Sequence, residues 1–566
     1  MNRIAIDIEA NGLNELVLDR KGNVIYEADT VWCIAAVDID TGEVKSFGPD
    51  NIKDGIDLLR NASLLLGHNI VSYDLPVLRR LYGAIDTPVY DTLIVSRLMY
   101  PDKKEHPLGG NSLQCWGEHL GCPKMDYDGG WDVFSDEMLT YCIQDTKVVV
   151  EIYNKQKNFV KNNQKIVKLE HMVSQIISDQ GCNGFGFDID KALDLEQELL
   201  YDKSEIEDNL REIFPPIVEE RWSEKTGKRL KDKVTVFNPS SRQQIAQRLK
   251  DKYGWKAPRT EKGNPKVDAE VVKKLDYPEA KEQVKYFDII KTMGFLKDWI
   301  TRAESSRDGR LHANVNPQGT VTGRMTCSQP NLQQVTSDRR VRSLFVPRKG
   351  WKQVGIDASG LEARMLASRM YPWDQGAYGK VVLEGDIHAT NMEATGIRER
   401  DKVKTFFYGF IYGAGDTKIG KIIEKNAQAG KELREKFLNN LPALKKLIEA
   451  CKFQSSKKNT ITLLDGREAP CRSEHSALNV QLQGDGAIVM KAAQCILAHK
   501  IETTYKGRAF FMATVHDEWQ LECEPEIAEE IGQLGVDSIK EAGDRLGCQI
   551  KLDGEYKIGN NWWDCH

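Results

Sequence analysis

The run RAFFMATVHDEWQLECE, residues 508–524, sets two β-rich stretches on either side of His516-Asp517. A connection that short makes the two strands a hairpin and leaves the Asp517 carboxylate exposed at its turn. WKQVGIDASGLEARMLASRM reads as a strand ending at Asp357, a Ser-Gly turn and a helix beginning near Leu361. These strands bracket a helical block from about 386 to 460 and another from 473 to 505. One sheet is therefore assembled from segments distant in sequence.

At 566 residues the chain is too long for one hydrophobic core, and three or four structural units are expected. From 1 to about 160, strand-like runs (RIAIDIEA, VWCIAAVDI, LLLGHNI) alternate with helical ones (DLPVLRRLYG, DTLIVSRLMY), which predicts an α/β domain. From about 165 to 305 the pattern is almost wholly helical, with a capping signal at NPSSRQQIAQRL, and reads as a long antiparallel arm. Hydrophobic residues make up 40% and no apolar run approaches the roughly 20 residues of a membrane span, so no membrane role follows. The N-terminus lacks the apolar core of a secretory signal, and the expected location is the cytoplasm. Twelve cysteines stand singly with no CxxC pair, which predicts reduced thiols and argues against a zinc ribbon.

The net charge of −5 is unevenly placed: residues 219–266 carry 14 Lys or Arg against 6 Asp or Glu. Such a stretch can follow a phosphate backbone by counterion release, and an exposed lysine-rich helical hairpin has the same composition. Arg400, Lys404, Tyr408 and Tyr412 recur every fourth residue. On a helix each step drifts by about 40°, so the four share one face over about 18 Å, a length that suits a triphosphate followed by a base. The two cations can hold phosphate oxygens and the rings can stack on a sugar or base. The same spacing also describes a solvated amphipathic helix.

Two groups of carboxylates stand out. Asp357 and Asp517 can share two Mg²⁺ ions, which favour carboxylate and phosphate oxygen over sulfur or imidazole. Asp7 and Glu9 are two apart in a predicted strand and point to one face. Asp74 follows in GHNIVSYDLPVL and Asp145 in YCIQDTKVV, with Tyr141 one helical turn before Asp145, so that a phenol can orient a water beside a metal-bound carboxylate. This ordered set fits two-metal hydrolysis of a phosphodiester. GDTKIGKI at 415–422 nearly spells a P-loop, but Ile422 stands where Ser or Thr must bind Mg²⁺.

GIDASGLEARMLA, RDKVKTFFYGFIYGAG and VHDEWQ resemble motifs A, B and C of the family A DNA polymerases, in order and spacing. DIEANGL, HNIVSYDLPVL and YCIQD are similar to the three motifs of the family's proofreading exonuclease. VTGRMTCSQPNLQQV, LDGR at 464–467, LNVQLQGDGA and the terminal GNNWWDCH extend the likeness over nearly the whole chain, most closely to replicative enzymes of short-tailed T-odd type bacteriophages. The resemblance implies an α/β multidomain fold: an RNase H-like 3′–5′ exonuclease domain, then a right-hand polymerase domain with an antiparallel palm sheet and helical thumb and fingers. The expected segments are 1–160 (exonuclease), 161–305 (thumb with connecting helices), 306–385 (palm, first part), 386–460 (fingers) and 461–566 (palm, second part).

Residue by residue, the resemblance implies that Asp357 and Asp517 bind the polymerase metals. Glu362 would be the steric gate beneath the sugar and pair with Tyr408. Arg400, Lys404 and His388 would bind the triphosphate, with Lys404 placed to protonate pyrophosphate. Arg324, Gln483, Asn479 and His516 would contact minor-groove acceptors, while Tyr412 and Arg467 complete the DNA contacts. Asp7, Glu9, Asp74 and Asp145 would bind two exonuclease metals, aided by Tyr141. The implied partners are primer-template DNA and dNTPs, with a phage helicase-primase and single-strand binding protein beside them. No 5′ nuclease is expected, because the chain begins at the proofreading motifs. A short basic stretch, FPPIVEERWSEKTGKRLKDKVTVFNPSSR, crosses the place of the long thumb insertion by which such phage enzymes recruit thioredoxin, which argues against thioredoxin binding. A stand-alone 3′–5′ exonuclease with a noncatalytic DNA-binding C-terminal region is the alternative, and a noncatalytic scaffold a third reading.

Overall fold

The computed structural model describes residues 2–14, 17–18 and 24–566. It divides into two compact units, Met1–Gly186 with Arg310–His566, and Phe187–Gly309.

The first unit opens on a five-stranded sheet of β1 (Arg3–Ala10), β2 (Val31–Asp38), β3 (Val44–Phe47), β4 (Leu64–Gly67) and β5 (Val89–Asp91) in the order β3-β2-β1-β4-β5. β2 runs antiparallel to β1, whereas β4 is parallel to both β1 and β5, which is the RNase H-like arrangement. Alternation in RIAIDIEA explains its placement: Ile4, Ile6 and Ile8 enter one core, while Ala5 enters a second core with Val148, Val149 and Ile152. Asp7 and Glu9 share the Ala5 face. The helices used below are α1 (Asp74–Tyr82), α2 (Asp136–Asn162) and α3 (Gln164–Asn183). Ser135 caps α2 by accepting from the Met138 N–H, and Asp136 and Glu137 suit the positive end of its dipole.

The second unit contains α4 (Ile189–Ile213), the strands β6 (Ile217–Trp222) and β7 (Arg229–Thr235), α5 (Arg242–Tyr253) and α6 (Pro278–Ser305). Leu210, Phe214, Phe237, Leu249 and Tyr286 form its core. The arm expected to be almost wholly helical contains here an antiparallel hairpin pairing Trp222 with Arg229 and Ile217 with Thr235. Neither strand offers the apolar stripe at helical spacing that would bury it as a helix, and Gly227, at φ +62°, supplies the turn. The basic stretch is thus a sheet ribbon followed by a helix.

The remaining elements return to the first unit: β8 (Lys352–Ala358), α7 (Leu361–Asp374), α8 (Ile387–Thr395), α9 (Arg400–Ile411), α10 (Ala477–Thr504), β9 (Ala509–Val515), β10 (Glu518–Cys523), α11 (Ala528–Arg545) and β11 (Gly554–Gly559). The sheet order is β9-β10-β8-β11, all antiparallel. Val354, Ile356, Trp519 and Leu521 pack with Ile531 and Ile539 of α11, each contributing about 1.5–3 kcal/mol by leaving water. The opposite face of β10 is polar yet buried, carrying Glu518, Gln520 and Glu522. Glu522 is satisfied by Arg310 and Arg348, and Glu518 by Trp562 and His566. Gly355 lets the C-terminal segment lie on this face, since a Cβ there would sit 2.1 Å from the Cys565 carbonyl. The near P-loop is helical over Asp416–Ile422 and forms no phosphate loop. Among the described residues no helix is long and apolar enough to cross a membrane.

Candidate active sites

Asp357, next to last in β8, is in register with Glu518, and the Ala358 N–H donates to the Asp517 carbonyl at 3.1 Å. The hairpin therefore delivers Asp517 beside the end of the strand that carries Asp357. His516, with φ +55°, makes the tight turn. Burial, then Glu518, Asp517, Glu555 and Glu362, push the Asp357 carboxyl up to about 7. Burial and Glu362 push Asp517 up to about 6, against Arg324. Acids that resist ionisation because they crowd one another are suited to a dication, which would relieve the repulsion.

Glu362, in the first turn of α7, accepts from Arg324 at 3.2 Å and from the Tyr412 hydroxyl at 2.8 Å. The carboxylate thus pairs with Tyr412, and the expected pairing with Tyr408 is not made. Tyr408 is half-buried against the core and stacks on Tyr412 at 6.5 Å between ring centroids. Arg400, Lys404 and Tyr408 lie on α9 as the spacing predicts, but Tyr412 is past its last turn, where Gly413 reverses the chain at φ +75°. Arg400 pairs with Asp386. His388, in the first turn of α8, is held below the usual imidazole range by burial and by Arg400 and Lys404. His516 is likewise lowered by burial and Arg324. Asn479 and Gln483 lie one turn apart on α10, partly buried, with the Asn479 Oδ1 buried and unpartnered.

Arg467 departs from its expected role as a DNA contact. Its guanidinium is turned inward, 2.7 Å from Glu170 of α3 and 2.7 Å from Asp465. Lys491 of α10 also donates to both Glu170 oxygens, at 2.8 Å each. A fully buried carboxylate requires such compensation, so Arg467 is a structural cation here.

The second cluster lies on the sheet of the N-terminal part. Asp7 and Glu9 stand on β1 opposite Ala35 and Cys33, Asp74 opens α1, and Asp145 projects from α2. Burial, then Glu9, Asp74 and Asp145, drives the Asp7 carboxyl far above its ordinary range. Glu9 is pushed up to about 9 by burial, then by Cys33, Asp145 and Asp74, and Asp74 up to about 7 chiefly by burial. The structure brings these four near one another, and with them Lys124, which the sequence reading missed and which lies 2.6 Å from Asp145 with its ammonium over the Tyr141 ring. It sits in an irregular loop with no motif around it. Asp145 keeps one buried oxygen without a hydrogen-bond partner. Crowded carboxylates and an orphaned oxygen fit divalent cations here as well. A cavity of about 770 Å³ adjoins Tyr73, lined in part by Asn69, Arg97, Lys103 and His106. Glu518 and Glu555, beside Asp357, also escaped the sequence reading, although Glu518 stood within VHDEWQ.

An RNase H-like sheet joined to an antiparallel sheet bearing paired acids, with a helical block between its strands, defines the right-hand polymerase class. The chain belongs to DNA polymerase family A, whose model matches residues 218–564. It is 31% identical to the DNA-directed DNA polymerase of Escherichia phage T7, with all of both chains covered, and 31% identical to that of Enterobacteria phage T3, with 99% of each covered. DNA polymerase I of Aquifex aeolicus is 27% identical over 93% of this chain and 91% of its own length. The T7 alignment extends over 720 residues against a chain of 566, so that relative carries insertions that this chain lacks. In fold, the chain is similar to the polymerase domain of Pol1 from M. smegmatis, solved in complex with DNA primer-template and dNTP, with a TM-score of 0.79 at 17% identity over 99% of this chain and 96% of that one.

Proposed function

We propose that the chain copies a DNA template by adding deoxynucleotides to a primer 3′ end, and that its N-terminal site removes mismatched 3′ nucleotides in the 3′–5′ direction. The observation that carries this reading is the convergence of Asp357 and Asp517 at adjacent strand ends, both resisting ionisation, beside Glu362 and Arg324. Asp357 and Asp517 would hold two Mg²⁺ ions, as Asp7, Glu9, Asp74 and Asp145 would in the other site. Such ions supply a more acidic attacking oxygen and neutralise charge on the phosphate.

The chain's own residues do the rest. Arg400 and Lys404 bind and orient the triphosphate, Arg400 exchanging Asp386 for phosphate, and Lys404 delivers a proton to the leaving pyrophosphate. His388 adds a further donor. Tyr408 stacks beneath the incoming nucleotide, and Glu362 fills the space that a ribose 2′-hydroxyl would need. Tyr412 bonds Glu362 in the structure described, and on nucleotide binding that partner passes to Tyr408. Arg324, Asn479, Gln483 and His516 contact the minor groove, where acceptor positions are shared among base pairs, so they check shape without reading sequence. In the N-terminal site Tyr141 orients the attacking water. In this reading residues 1–160 form the exonuclease domain, 161–305 the thumb with connecting helices, 306–385 and 461–566 the palm, and 386–460 the fingers.

Primer extension with Mg²⁺ and dNTPs tests both sites. Asp517→Ala is expected to abolish extension, and Asp7→Ala to retain it while losing degradation of a mismatched 3′ end. Extension by Asp517→Ala would remove the polymerase assignment. An exonuclease with a noncatalytic C-terminal region predicts no extension by the unaltered chain.

A further inference from the structure

The helix Pro442–Lys458, PALKKLIEACKFQSSKK, carries charge of one sign on its outer side. Lys445, Lys446, Lys452, Lys457 and Lys458 stand against Glu449 as its one acid. At about 100° per residue, Lys445, Lys446, Lys452 and Lys457 fall with Phe453 within about 140° of arc and along about 18 Å of axis. All five of these side chains are exposed. Among the described residues none of the helix's lysines forms an ion pair, not even with Glu449, whereas Lys233, Lys285 and Lys500 elsewhere each meet an acid. Phe453 is 66% exposed, with the Lys457 ammonium 5.9 Å from its ring centroid. The opposite side is fixed in the core: Leu444, Leu447, Cys451 and Ser455 are buried, and the Cys451 thiol donates to the Gln481 Oε1 at 3.0 Å. Gln481 stands on α10 between Asn479 and Gln483, so the helix is braced against the one that bears two of the proposed minor-groove contacts.

We infer that this face is a seat for single-stranded DNA, the unpaired template ahead of the primer end, with the four lysines on its phosphates and the Phe453 ring against a base. The inference rests on the reading of the chain as a template-copying polymerase. An unpaired strand offers negative charge and bare ring faces together, and this surface answers both. A duplex keeps its ring faces inside the stack, and an acidic peptide brings charge without a base to stack. Lysine is a point charge on a flexible stem and demands no fixed phosphate geometry. Stacking accepts every base, so the seat is indifferent to sequence, as copying any template requires.

The test is fluorescence anisotropy of the full chain with two primer-templates of the same duplex, one with a single unpaired template nucleotide and one with about a dozen. The unaltered chain is expected to bind the long overhang several-fold more tightly. Phe453→Leu, which keeps apolar bulk and removes the stacking ring, should weaken the long overhang about fivefold or more and leave the short one as it was. Lys445→Gln with Lys452→Gln should also weaken only the long overhang, with a salt dependence shallower by up to about 1.4 in log–log slope. Unchanged affinity for the short overhang in either variant reports an intact fold. No preference for the long overhang in the unaltered chain, a preference retained in both variants, or equal losses on both templates would each overturn the inference. A labelled glutamate-rich peptide bound through these lysines, with no overhang preference, would overturn it in favour of an acidic protein segment. Failure of the unaltered chain to extend either primer would sink the polymerase reading and leave a Phe453-dependent overhang preference standing.

Discussion

Asp357 ionises against its surroundings, and that has a measurable cost. Its folded pKa of about 7 lies above the ordinary 3.8 because burial, Glu518, Asp517, Glu555 and Glu362 all disfavour its charge. A carboxyl raised on folding binds its proton more tightly in the folded state, so metal-free stability falls as pH rises from about 4 to about 7 and stays low above that. Asp357→Asn removes the charge. In chelator at pH 8 it should raise the melting temperature by a few degrees, on the order of 2 kcal/mol after allowing for screening at the half-open cleft. The difference should close as pH is lowered toward 4. Melting curves in EDTA across this range check it, and equal stabilities at pH 8 would mean that the acids are not strained by one another. Asp357 and Asp517 were legible in the sequence because strand ends and two-residue turns are local features. Glu518 was not singled out, because its partners Trp562 and His566 arrive from the far end of the chain.

α3 and α10 are fastened by one buried carboxylate, Glu170, which takes Lys491 and Arg467 together. Without it, two cations would face each other with only Asp465 between them. Removing one member of a buried ionic group costs about 3–5 kcal/mol, because the orphaned charges cannot regain water. Glu170→Ala is therefore expected to lower the melting temperature sharply, and the double variant Glu170→Ala with Lys491→Met to recover part of the loss. A melting temperature unchanged by Glu170→Ala would show the network to be solvated. This element-scale pairing also explains the misreading of Arg467. An arginine in a Leu-Asp-Gly-Arg turn looks like a surface contact, and the carboxylate that claims it is 297 residues away. Periodicity within one element carries no information about such a partner. Helices α9 and α10 could be recognised from spacing and length, but which polar residues turn inward depended on neighbours from other segments.

At the scale of the molecule, the order of the segments was readable and their mutual satisfaction was not. Three strands of the sheet β9-β10-β8-β11 were read from β-rich runs, whereas β11 and the strand order were not, and the hairpin Ile217–Thr235 was hidden in a lysine-rich stretch whose composition also suits a solvated helix. Charge is distributed at this scale too. The chain is formally −5, yet residues 219–266 carry a basic excess, and four cations of that stretch, Arg242, Arg259, Lys262 and Lys266, line one cleft of about 920 Å³ beside the start of α5. Glu261 is the one acid lining it, and Asp268 meets Lys266 at only 3.9 Å, so most of this charge is uncompensated. If the cleft follows the phosphate backbone of primer-template DNA, each cation that displaces a counterion steepens the salt dependence of binding by about 0.9 in log–log slope. The variant Arg242→Gln with Lys262→Gln should therefore bind duplex DNA with a slope shallower by up to roughly 1.8, and its loss of affinity relative to the unaltered chain should be larger at low salt than at high. Fluorescence anisotropy over a potassium chloride series measures this directly, and superimposable slopes would take this cleft out of the DNA path.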